Sequence, residues 1–170
     1  MKVADLLSEV AVPDDAAPEF RQLLDQELDV FTNWGRAEQL LRDAQQAMPD
    51  QLEIGVALYK MYAYADRFTE AADQIGVVLR KAAERIGCDA DWRNIAPDAA
   101  CFAQVSGPAR LYLYSLKAAG FVFLRQGEIE SALEVLAKLE QLDPTDEVGG
   151  SVVREIANSV ADLEAAHDIH

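Results

Sequence analysis

The chain has 170 residues, is 51% hydrophobic and only 8% aromatic, and carries a net charge of −15 from 15 basic and 30 acidic side chains. That length fits one domain with enough chain to bury a core, and a frequency of Ala, Leu, Glu, Gln and Asp of this kind favours helices. So acidic a surface repels nucleic acid, and charge interrupts every apolar stretch before the roughly 18 residues a membrane span needs.

In chain order, MKVADLLSEVAVPDD predicts a short helix over 2–10 and makes a poor secretory signal, because acids interrupt its apolar stretch. The expected location is therefore the cytoplasm. Helices follow at about 18–31 and 34–48, broken by Asn33-Trp34-Gly35 and by Pro49, then at about 51–65 and 68–87. Residues 88–108, CDADWRNIAPDAACFAQVSGP, have no helical period. Helices resume at about 109–126 and 128–141 and end with one at about 146–167, which carries Val152, Ile156, Val160 and Leu163 on one face.

An internal repeat runs through this order. In SLKAAGFVFLRQGEIESALEVLAKLEQLDP, small residues fall at Gly120 and Ala132, large ones at Phe123 and Leu136, a break at Gly127 and a stop at Pro144. The same template fits Leu24, Leu28, Ala37, Leu41 and Pro49, and again Leu58, Tyr62, Ala71, Ile75 and Val78, with a period of 34 between those two units. It departs at Asp25 and Tyr59, where a small residue is expected, and at Thr32 and Asp66, where glycine is expected. The pattern resembles the tetratricopeptide repeat (TPR). The resemblance implies an all-α fold of three TPR-like antiparallel helix pairs in one domain spanning 1–170. The repeats are 18–51, 52–85 and 113–146, the insertion before the third pair is 86–112, and a carboxy-terminal helix caps the array.

In TPR proteins the first helix of each pair lines a concave face. Carried onto this sequence, that face is acidic and polar at one end, with Glu19, Gln22, Gln26 and Asp29. At the other it offers Lys60, Lys117 and Arg125 beside Tyr64, Tyr114 and Phe121, which suits an acidic or amphipathic peptide. The 86–112 segment adds Trp92 and Arg93, types favoured at interface hot spots, although a loop folded back with Trp92 in the core fits equally well. The asparagines of the chaperone-binding carboxylate clamp are absent.

Chemistry is not indicated. The two histidines, His167 and His170, lie at the extreme carboxyl end, so nucleophile–histidine catalysis lacks a base inside the domain, and an H-x-x-H tail is a weak metal signal. No phosphate-binding glycine motif occurs. Cys88 and Cys101, 13 apart, match no metal signature and are expected as free thiols. Catalytic residues, metal ligands and cofactors are thus expected to be none.

The runs ALYKMYAYADRFTEAADQI, DWRNIAP and GPARLYLYSLKAAGF with LDPTDEVGGSVV resemble, over about residues 56–153, small acidic TPR-like proteins encoded among bacterial nitrogen-fixation genes. That resemblance implies a protein–protein interaction module, with nitrogenase or its cofactor-maturation machinery as partner. The rival readings are a TPR chaperone of a secretion substrate and a structural homo-oligomer built through the terminal helix.

Overall fold

The computed structural model describes residues 1–168, and among these the regular structure is helical with no strand. The helices are α1 (Val3–Leu6), α2 (Pro18–Leu24), α3 (Trp34–Ala47), α4 (Leu52–Tyr64), α5 (Phe68–Ile86), α6 (Gly107–Arg125), α7 (Ile129–Leu142) and α8 (Gly150–Asp168). Two 3₁₀ turns, Trp92–Asn94 and Ala100–Phe102, lie between α5 and α6. No described helix is long and apolar enough to cross a membrane. The chain forms two compact units, Met1–Val78 and Leu79–His170.

In the first unit α4 is the central element. Every residue from Leu52 to Tyr59 is buried, and α1 and α3 both pack against it. Close approach is possible because Gly55 presents no side chain: a Cβ there would sit 2.6 Å from the Val78 Cγ2. Ala37, Leu41, Ala71 and Ile75 are buried, as are Phe20, Val30 and Tyr62.

The expected 18–31 helix is cut short, and α2 ends at Leu24. The reason lies in Asp29, whose carboxylate accepts hydrogen bonds from the backbone N–H groups of Phe31 and Thr32, each at 3.0 Å. A side chain that satisfies backbone donors in a turn competes with helix formation, and here the turn wins. Hydrogen bonds from the amino-terminal ammonium and from Thr32 hold that carboxyl well below the usual carboxylate range. The expected 2–10 helix is likewise reduced to Val3–Leu6 followed by turns.

In the second unit α6 packs on α7 and α7 on α8. Gly120 in α6 faces Leu136 in α7, and Gly150 in α8 faces Leu139. The expected free thiols are instead joined: Cys88 and Cys101 form a disulfide, because the segment between them doubles back and brings their Cα atoms to 6.7 Å. Along that segment Trp92, Ile95 and Phe102 are buried. Lys138 of α7 donates to the Ile95 carbonyl at 2.6 Å, and the Arg93 guanidinium lies 3.3 Å from Glu134. The result is a strap pinned to α7.

The terminal helix buries its small residues and leaves its bulkier apolar side chains outward. Its small residues Gly150 and Ala157 are buried, whereas Val152, Ile156 and Leu163 are 61%, 48% and 64% exposed. Small side chains let α8 approach α7 closely, so the bulkier stripe is the one left facing outward. His167 sits in the last turn of α8, and His170 lies outside the described residues.

Candidate functional site: an aromatic and guanidinium cluster

Four aromatic rings of the first unit converge where α3 begins and α4 ends. Asp66 adopts φ +59, a left-handed residue that terminates α4 as a glycine commonly does, and the Arg67 N–H then donates to the Tyr62 carbonyl at 2.9 Å. That reversal brings the Arg67 guanidinium back over the rings of Trp34 and Tyr62, 5.2 Å from each centroid. Arg67 is therefore held by two π faces and by Glu70 and Glu38, and the Glu70 hydrogen bond, first, raises its affinity for its proton.

Beneath the guanidinium runs a polar relay. Tyr62 donates to Glu38 at 2.6 Å and accepts from Arg42 at 2.7 Å. Burial, then the hydrogen bond to Glu38, push the Tyr62 phenol above its ordinary value. The ring of Trp34 lies 6.0 Å from that of Tyr62, and its indole Nε1 is buried without a hydrogen-bond partner.

The outer part of the cluster is exposed. Phe31 packs 6.1 Å from Trp34 and meets Tyr64 edge-on at 6.4 Å, and these two rings are 39% and 57% exposed. Large exposed aromatics beside a cation, rigidly backed by buried rings, have the composition of an interface anchor. What the cluster can do chemically is stack, donate charge-assisted hydrogen bonds and exclude water.

The remaining residues anticipated from the sequence are distributed as follows. Lys60 shares α4 with Tyr64 and is half-buried. In the second unit Trp92 is buried under its neighbour Arg93, whose guanidinium lies 4.3 Å from the indole centroid. Trp92 thus packs the strap down and does not project from it. Tyr114 is buried too, with Lys117 Nζ 4.5 Å from its centroid, while Phe121 is half-buried and has Arg125 at 5.9 Å. Phe31, Trp34, Tyr62 and Arg67 are not among the binding residues that the sequence suggests. The available signal was the pairing of F-x-x-W at 31–34 with Y-x-Y at 62–64, followed by Arg67. Among the described residues no three His, Cys, Asp or Glu side chains converge as metal ligands.

No protein-family model matches the chain, and no solved structure matches it. Over 128 residues it is 34% identical to an uncharacterized 19.8 kDa protein encoded in the nifW 5′ region of Azotobacter chroococcum mcd 1, a match covering 72% of this chain and 70% of the relative. The chain belongs to the family of that nifW-region protein. The relative's position beside nifW agrees with the resemblance to proteins encoded among nitrogen-fixation genes that residues 56–153 carry.

Proposed function

We propose that the chain is a cytoplasmic, non-enzymatic docking protein of the TPR type that serves nitrogen fixation. Its partner is nitrogenase or a protein of nitrogenase cofactor maturation, held through the aromatic face of the first unit. One observation carries the reading: Phe31 and Tyr64 stand exposed and edge-on, their ring centroids 6.4 Å apart, backed by Trp34, Tyr62 and Arg67. Exposed aromatic area of this kind costs solubility and is retained on working surfaces.

Three further facts support it. The relative is encoded beside nifW. Gly120 against Leu136, and buried Ala37, Leu41, Ala71, Ile75 and Ala132, fit the small and large positions of the TPR template. The sequence carries its two histidines at positions 167 and 170, a pattern that does not indicate nucleophile–histidine chemistry. The test is direct binding of the purified chain to nitrogenase component proteins and to maturation proteins. Phe31→Ser with Tyr64→Ala serves as the matched variant, and circular dichroism verifies that its helices are intact.

A further inference from the structure

We propose that the outward face of α8 is a second docking surface, and that its occupant is a basic amphipathic helix. Val152, Ile156, Ser159 and Leu163 follow the +4, +3, +4 spacing of one helical seam, and all four are exposed. The seam spans about 16 Å, three turns of a partner helix. The opposite side of α8 is fully engaged: Gly150 and Ala157 are buried, and α8 packs against α7 and α6.

Charge selects the occupant. Glu155 and Asp162, seven residues apart, border the seam along one edge, each one position before Ile156 and Leu163, and both are exposed. Residues 126–170 carry 11 acidic and 2 basic side chains, Lys138 and Arg154. Both cations are already engaged, Lys138 with the Ile95 carbonyl at 2.6 Å and Arg154 with Glu140 at 3.6 Å. The seam thus lies in an acidic field, and the arginine of α8, Arg154, is already paired with Glu140. A partner with Lys or Arg flanking an apolar ridge complements both features. A second copy would bring a second set of acids to the same edge.

None of the first unit's aromatic residues takes part in this surface, so loss of binding here and loss of binding at Phe31 and Tyr64 are separable. The probe is a labelled synthetic helix of about 14 residues, leucine along one seam and lysine on both flanks. Its control has every lysine replaced by glutamate. Fluorescence anisotropy against the full chain should show binding of the lysine peptide alone, weakened at least tenfold between about 50 and 500 mM salt. Ile156→Gln with Leu163→Gln should weaken binding at least tenfold with helicity unchanged, since both positions are exposed. Glu155→Lys with Asp162→Lys should reverse the preference toward the glutamate peptide. Equal binding of the two peptides, or undiminished binding by the Ile156→Gln, Leu163→Gln variant, would overturn the proposal. So would a dimer seen by sedimentation that this variant dissolves, because the face would then belong to a second copy.

Discussion

Leu136 closes over the bare α-carbon of Gly120, where a Cβ would lie 2.6 Å from its Cδ2 and 2.7 Å from its Cγ. The contact involves the branch point of the leucine and not only its tip, so Gly120→Ala forces α6 and α7 apart or drives Leu136 off its rotamer. Overpacking costs about 1–3 kcal/mol, against about 1 kcal/mol gained from helix propensity. Urea denaturation should show a net loss of about 1 kcal/mol. Gly76→Ala is the counterpart, because a Cβ added there in α5 would meet no atom from beyond its own helical turn within 4 Å. It should gain up to about 1 kcal/mol. A stabilised Gly120→Ala would mean that Leu136 yields freely.

Tyr112 in α6 has its hydroxyl buried without a hydrogen-bond partner, packed 5.6 Å from the Phe102 ring. Tyr112→Phe removes an unsatisfied polar group and leaves the ring in place, so stability should rise by about 1 kcal/mol. Burial, with the charges of Asp91 and Asp89 behind it, pushes the phenol upward. A pKa raised on folding gives stability that is complete below the unfolded value of about 10 and lost as pH rises beyond it. The wild-type chain should therefore lose stability above pH 10 more steeply than Tyr112→Phe. Destabilisation of the variant at neutral pH would contradict the account.

Asp146, at φ +59, accepts hydrogen bonds from the Ser151 hydroxyl and from the Ser151 N–H at 3.1 Å, organising the entry to α8. Those bonds hold its carboxyl below the usual range. The sign follows: a depressed pKa gives stability that is present above the unfolded value of about 4 and lost as pH falls through the folded one. Asp146→Asn, which tolerates the left-handed backbone, should be less stable than wild type at pH 7, with the gap narrowing toward pH 2. A gap independent of pH would assign no ionic role to Asp146.

The Cys88–Cys101 bridge closes a short loop, for which the unfolded-state constraint contributes about 3 kcal/mol. The oxidised chain should have a higher urea midpoint than the reduced chain or the double serine variant. Thiol titration of the native oxidised chain should find no free sulfhydryl. Equal midpoints would show the strap held by Trp92, Lys138 and Arg93 alone.

Much of the helix order was legible because glycine and proline punctuate it: α3, α4, α5 and α7 start and stop within about two residues of the boundaries read from Gly35, Pro49 and Gly127. The end of α2 was not, because Asp29 reads equally as a solvated acid and as the side chain that nucleates a turn. Periodicity located the apolar stripe of α8 but not the choice between two stripes. A seam of Gly150 and Ala157 carries little hydrophobic signal and still wins by close approach. The disulfide depends on a chain reversal that a spacing of 13 does not encode. Most of the candidate site was hidden for a similar reason. Its rings come from two stretches 30 residues apart, and only the left-handed Asp66 brings Arg67 over them.

The central claim is that the exposed Phe31–Tyr64 pair holds a nitrogenase-related partner. Its most direct test is surface plasmon resonance of the immobilised chain against purified nitrogenase component and cofactor-maturation proteins. At least one should bind saturably, and Phe31→Ser with Tyr64→Ala should weaken that binding at least tenfold, as removal of interface anchors does, with helicity unchanged. Absence of binding to every one of these proteins, or binding that the double variant leaves intact, would contradict it.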